Sequence, residues 1–243
     1  MPNQPSLPSK PVSEVWRPEL VALPQLTFAR RAFRVFFRLA MKLLAFFTMR
    51  AVIKGLENFP KKGPAVIVFN HLGDADTVLL VAAIPVAAEG IAKVELYDHW
   101  LVGPVFRAYG FIWVHRGKPD RRALRAALDA LKEGRMVAVA PEGRESLTGG
   151  LEEGTEGAAF LAVKSGAPIV PIALTGTDNK TVHERKWWKR IPVTLTVGEP
   201  FFIQEQTDHQ QTMRDGTEQV MISLARLLPE SYRGVYRDRV PPD

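Results

Sequence analysis

In the stretch VFNHLGDADTVLL (68–80) an apolar run ends in Asn70-His71, and two carboxylates, Asp74 and Asp76, follow within five residues of the histidine. A histidine beside a carboxylate can take a proton from a hydroxyl while the carboxylate fixes its tautomer. The spacing restricts how the two can meet. On one ideal helix, residues five apart lie about 140° from each other around the axis. His71 and Asp76 therefore meet only if His71 stands in a turn and Asp76 in the first turn of the helix that follows. Asp74 competes as the partner, or caps the helix. Taken alone, the stretch is also compatible with a histidine satisfied in its turn and two capping aspartates.

The elements that must position these residues are legible in the hydropathy pattern. AVIVF (65–69), FIWV (111–114), MVAVA (136–140), PIVPIAL (168–174) and VTLTV (193–197) read as strands. TVLLVAAI (77–84), RRALRAALDALKEG (121–134) and GTEGAAFLAVKSG (154–166) read as helices, the last two ended by Gly134 and Gly166. Such alternation predicts an α/β fold, with a mostly parallel central sheet flanked by helices.

A polar cluster follows each of four strands. These are Asn70-His71, His115-Arg116, Pro141-Glu142-Gly143-Arg144 and Thr175-Gly176. Ligands of parallel sheets bind beyond the carboxyl ends of the strands, so the four clusters are expected to converge. Separately each has a plainer reading: Arg116 as a surface cation heading a helix, Pro141 to Gly143 as a turn. His115 alternates with Val114 and is expected to point away, His99 is read as structural or interfacial, and Ser146 lacks the G-x-S-x-G surround of a nucleophile.

The four clusters resemble the blocks of the glycerolipid acyltransferases, the family that includes 1-acylglycerol-3-phosphate acyltransferase. NHLGDAD (70–76) fits the H-x4-D motif, GFIWVHR (110–116) the second block, PEG (141–143) the third and VPIALTG (170–176) the fourth, over about residues 52–200. The resemblance implies an O-acyltransferase of phospholipid biosynthesis, moving a fatty acyl group from a thioester to the free hydroxyl of lysophosphatidate. His71 is then the base and Asp76 its orienter. Arg116 binds the acceptor's phosphate, Glu142 and Gly143 shape the acceptor pocket, and Arg144 reaches the phosphate by another path. Backbone N–H groups of Gly73 or Gly143 are the candidate oxyanion donors. No metal and no bound cofactor is implied; acyl-CoA or acyl carrier protein is the co-substrate.

The third block departs from the family's PEG-Thr-Arg-Ser, because Glu145 stands where arginine is expected. A carboxylate there would repel a dianion, which opens the alternative of another lysolipid or a glycolipid acceptor.

Composition bears on partners. The chain has 243 residues, enough for one sizeable core, and no cysteine, which excludes disulfides and thiolate catalysis. Net charge is +6, and between Glu19 and Glu57 there is no acidic residue, whereas seven arginines and lysines fall there. Residues 1–24 are proline-rich, read as an extended arm rather than a signal peptide. Residues 25–50 read as an amphipathic membrane-docking helix, with Arg30, Arg34, Arg38 and Lys42 along one stripe and Phe36 and Phe37 on the remaining surface. Its central charges argue against a span, so an interfacial position on anionic lipid is expected, with packing on the core as the alternative. Trp187 and Trp188, among basic residues, form a second candidate interface patch, or a turn covering the core.

Residues 51–243 form the expected acyltransferase domain of a peripheral or monotopic protein on the cytoplasmic face of the cell membrane. Nucleic acid is not an expected partner, as no such motif is present. A non-catalytic membrane binder is the competing class, though it would not need His71, Asp76 and Glu142 together. A C-terminal helix over 207–230, interrupted by Gly216, and a surface tail over 232–243 complete the reading.

Overall fold

The computed structural model describes residues 8–117, 119–186 and 188–241. A seven-stranded sheet is built from β1 (Met49–Lys54), β2 (Ala65–Phe69), β3 (Glu89–Lys93), β4 (Ile112–Val114), β5 (Met136–Val139), β6 (Ile169–Thr175) and β7 (Ile191–Val197). Its order is β1-β7-β6-β2-β5-β3-β4, with only the β6–β7 pair antiparallel. The carboxyl ends of β2 to β6 consequently share one edge.

The helices are α1 (Phe28–Thr48), α2 (Ala75–Ala83), α3 (Val102–Tyr109), α4 (Arg121–Lys132), α5 (Gly157–Ser165), α6 (Asn179–Glu184) and α7 (His209–Leu227). They cover both faces, so β2 sits at the centre as a continuous apolar run. Its side chains alternate: Val66 and Val68 join the core beneath α4, α5 and α7, while Ala65 and Ile67 join the core beneath α1 and α2.

Two strands escaped the sequence pattern. The 25–50 helix was expected to run through Arg50, but it stops at Thr48 and the chain enters β1, an edge strand whose burial pattern shows no alternation. β3, EGIAK, has no apolar run because Glu89 is fully buried in it. That carboxylate is paired with Arg34 of α1, whose Nη1 and Nη2 donate to its two oxygens at 2.8 and 2.6 Å. Arg34 Nε also donates to the Tyr109 carbonyl at 2.8 Å, and its guanidinium lies over the Tyr109 ring.

This pairing reverses the expected orientation of α1. Arg34 and Phe37 are buried and so do not face a membrane; Phe37 packs edge-on against Tyr109. Arg30 and Arg38 are half-buried, bonding the carbonyls of Gln25 and Pro85. The exposed stripe is apolar instead: Val35, Phe36, Leu39, Leu43, Phe46 and Phe47 are each about 60% exposed, with Lys42 beside them. A buried carboxylate on β3 demands a cation more than solvent does, so the arginine face turns inward. Of the second patch, Trp188 is exposed with the Lys186 ammonium over its ring, and Trp187 lies outside the described residues.

Two C-terminal expectations are also corrected. α7 runs unbroken through Gly216, which lets the helix approach Ile203 and Ala159; a Cβ there would stand 3.0 and 3.2 Å from them. The tail is built into the core rather than laid on the surface. Arg233 is buried and its Nε donates to the carbonyls of Ala225 and Leu228, capping the end of α7. Gly234, at φ +50°, passes so close to Leu151 that a Cβ would lie 2.0 Å from its carbonyl oxygen.

Candidate active site

β2 ends at Phe69, and the next residues form the turn that the His71–Asp76 spacing requires. Asn70 is buried and exchanges two hydrogen bonds with the backbone of Leu174, at 2.9 and 2.7 Å, locking the end of β2 to β6. His71 Nδ1 lies 2.8 Å from Asp76 Oδ2. The same oxygen accepts the N–H groups of Leu72 and Gly73 at 2.7 and 3.1 Å. Asp76 thus fixes both the imidazole and the turn that carries it. Asp74 is not the partner; it occupies the position before α2 without a side-chain cap, and its N–H donates to Asn179 Oδ1 at 3.1 Å.

The backbone of His71 is gripped from the other side by residues 142–146. Its N–H donates to Glu142 Oε1 at 3.0 Å, and its carbonyl accepts the Ser146 N–H at 2.7 Å. Glu142 is fully buried and its other oxygen accepts the Glu152 N–H at 2.8 Å. Burial pushes the Glu142 carboxyl up to about 7, against the two N–H donors that favour its charged form. Burial also opposes a charged imidazole at His71, yet the hydrogen bond and charge of Asp76, joined by Glu145 and Glu142, outweigh it and hold His71 above the usual histidine value.

With Nδ1 engaged, Nε2 is the nitrogen available for chemistry. It lies 3.9 Å from Glu145 Oε1, whose other oxygen is held by Asn179 Nδ2 at 3.1 Å. His71 and Glu145 line a cavity of about 1120 Å³, together with Lys10, Arg116, Gly143 and Arg144. The same cavity is lined by apolar side chains including Leu80, Ile84, Ile91, Phe106, Phe111 and Leu128, a surface suited to a hydrocarbon chain.

The expected site residues fare differently. His71, Asp76 and Glu142 form one hydrogen-bonded unit. Arg116 lines the cavity, and its buried Nε has no partner among the described residues. Arg144 is not a free phosphate ligand: its Nε donates to Glu152 Oε2 at 2.6 Å, and its Nη1 to the carbonyls of Pro8 and Ser9. The N–H groups of Gly73 and Gly143 are also committed, to Asp76 and to the Ala140 carbonyl, which removes both expected oxyanion donors from that role in this conformation. His115 was expected to point away but also lines the cavity; both its ring nitrogens are engaged, Nδ1 2.8 Å from Asp120 and Nε2 accepting the Arg17 N–H at 2.9 Å. His99 caps the start of α3, its Nδ1 accepting the N–H groups of Leu101 and Val102.

Two participants had not been singled out. Glu152 neutralises Arg144 and Asn179 holds Glu145, from eight and 34 residues away. No local pattern marks such partners.

A mostly parallel sheet with a hydrogen-bonded His71–Asp76 pair at its carboxyl edge, the aspartate buried and the imidazole partly exposed to an apolar-lined cavity, defines an α/β protein with the geometry of a general base and its orienter. The profile of the Acyltransferase family matches residues 50–175, and the chain belongs to that family. It is 31% identical over 134 residues to the 1-acyl-sn-glycerol-3-phosphate acyltransferase of Borreliella burgdorferi, covering 54% of this chain and 53% of the relative. It is 30% identical over 146 residues to the enzyme of the same name from Bacillus subtilis, covering 59% of this chain and 70% of that one. The crystal structure of the 1-acyl-sn-glycerophosphate (LPA) acyltransferase PlsC from Thermotoga maritima superposes with a TM-score of 0.60 at 25% identity, covering 83% of this chain and 84% of that one. The chain spans about half the length of several curated relatives it matches.

Proposed function

We propose that the protein transfers a fatty acyl group from an acyl thioester, on coenzyme A or acyl carrier protein, to the free hydroxyl of lysophosphatidate, giving phosphatidate. The carrying observation is His71, with Nδ1 fixed by Asp76 and Nε2 turned to the cavity. In this mechanism Nε2 takes the acceptor's hydroxyl proton as the oxygen attacks the thioester carbonyl. The tetrahedral intermediate collapses, the C–S bond breaks, and the thiolate leaves with the proton returned from the imidazolium. Asp76 holds the productive tautomer and stabilises the transient imidazolium. Arg116, with its unpartnered Nε, is the phosphate ligand. The acyl chain lies among the apolar side chains of the cavity.

In this reading the reaction runs at a membrane surface, with the cytoplasmic face as the proposed side. No helix among the described residues is long and apolar enough to cross a bilayer, and the exposed stripe of α1 suits the interface.

The test is thiol release from acyl-CoA by protein on anionic liposomes offered lysophosphatidate. Turnover is expected and should fall at least about a thousandfold in His71→Ala; silence with acyl-CoA and acyl carrier protein donors alike would sink the reading. Glu145 favours a second reading, another lysolipid as acceptor, because its carboxylate stands 3.9 Å from the reacting nitrogen. Faster turnover on lysophosphatidylcholine than on lysophosphatidate would select it.

A further inference from the structure

Residues 8–17 lie across the cavity, tied down at several points. The carbonyls of Pro8 and Ser9 accept from Arg144 Nη1 at 2.9 and 3.3 Å. Ser13 is paired with Arg116 in both directions: its N–H donates to the Arg116 carbonyl at 3.0 Å, and its Oγ accepts the Arg116 N–H at 2.8 Å. Val12 sits so close to Gly117 that a Cβ there would be 2.6 Å from it, and the Arg17 N–H is held by His115. Between the first two ties, Lys10 and Pro11 line the cavity that holds His71 and Glu145.

Several cations line that cavity, Lys93, Arg121 and Arg125 from β3 and α4 as well as Lys10, Arg116 and Arg144, and they differ in what holds them. Arg144 is neutralised by Glu152, Arg116 has Glu95 nearby, and Glu145 faces the reacting histidine. Lys10 is half-buried, and its ammonium bonds the Glu153 carbonyl at 2.9 Å and no carboxylate among the described residues. A carbonyl occupies one of the three ammonium hydrogens and leaves the charge unpaired. Burial, then the charge of Arg144, lower the Lys10 pKa, with Glu152, Glu142 and Glu153 pulling it back; the ammonium is where an incoming anion would relieve it.

We propose that Lys10 is an anion ligand of the site: the N-terminal arm, outside the segment that matches the family, places an ammonium over the cavity to bind the acceptor's phosphate. This rests on the acceptor being a phosphate-bearing lysolipid, as proposed above. The arm is then part of the substrate site, and Arg144 serves as its anchor rather than as the phosphate ligand.

The experiment titrates short-chain lysophosphatidate into the full chain carrying His71→Ala, so that binding is read without turnover. Adding Lys10→Gln should weaken Kd roughly five- to tenfold, whereas Lys10→Arg should stay within about twofold. In the otherwise unaltered enzyme, Lys10→Gln should raise KM for lysophosphatidate and leave kcat nearly unchanged. An unaltered Kd, or an equal loss for the uncharged monoacylglycerol, would overturn the proposal and leave Lys10 as a tie that holds the arm. Lys10-dependent binding without turnover in the unaltered protein would discard the lysophosphatidate reaction and keep the ligand. Turnover with Lys10-independent binding would do the reverse.

Discussion

Asp76 Oδ2 accepts three hydrogen bonds while buried, and this concentration of donors makes one carboxylate both orienter and structural pin. Asp76→Asn can keep an acceptor at the Oδ2 position, its amide nitrogen falling where Oδ1 has no partner, but it removes the charge that stabilises the imidazolium. A kcat loss of roughly a hundred- to ten-thousandfold is expected. The pH profile supplies a second readout. His71 acts as a base only when neutral, and its pKa is raised, so activity should fall as pH drops through a value above that of ordinary histidine. Without the Asp76 charge that acid limb should move to lower pH in rate–pH measurements; a limb that stays in place would show that another group sets it.

Glu142 carries a different linkage. Its folded-state carboxyl titrates near 7, above the unfolded value of about 4.5, so the folded state binds more protons between them. Its contribution to stability is therefore present below pH 4.5 and lost as pH rises toward 7. Glu142→Gln should abolish that slope in urea titrations across the window. It should also cost about 1–3 kcal/mol, because an amide N–H₂ would oppose the N–H of His71 or Glu152.

At the scale of elements, α1 is an amphipathic helix whose polar face is the inner one. Its outer face offers phenylalanine and leucine, with Lys42 and Arg31 exposed on the same helix and the Arg190 guanidinium over the Phe46 ring. Burying one such side chain is worth about 1.5–3 kcal/mol, more than the roughly 1 kcal/mol of one basic residue at an anionic surface. Membrane affinity should accordingly follow the aromatics. Phe36→Asp with Phe47→Asp should lower liposome partitioning at least about tenfold without a fall in Tm, as both are exposed. Lys42→Gln should lower it only a few-fold. A larger effect of Lys42 in vesicle sedimentation would restore an electrostatic account of docking.

For the whole molecule, Arg34 joins α1 to the far side of the sheet through Glu89, and Arg135 Nη1 approaches the same carboxylate at 3.6 Å. Arg34→Met leaves Glu89 buried with one distant partner. A destabilisation of about 2–4 kcal/mol is expected in chemical denaturation, and Arg34→Met with Glu89→Met should recover most of it. Failure of the double variant to recover would mean that the Arg34 bonds to the Tyr109 carbonyl hold the helix instead.

The sequence by itself determined the α/β class, five of the seven strands and five of the seven α-helices among the described residues, and it singled out His71, Asp76 and Glu142 as candidates. These rest on local periodicity, and on polar residues placed directly after apolar runs. The tertiary structure alone decided which face of α1 is wet, that EGIAK is a strand, that Arg144 is spent on Glu152, and that the arm reaches the cavity. Arg34 takes its partner from 55 residues away and Arg144 bonds the arm more than 130 residues away, while Glu152, though only eight residues from Arg144, meets it through the folding of the connection after β5. Periodicity records how a residue sits on its own element. It carries no information about which opposite charge the fold will bring to it, and burial makes that pairing obligatory.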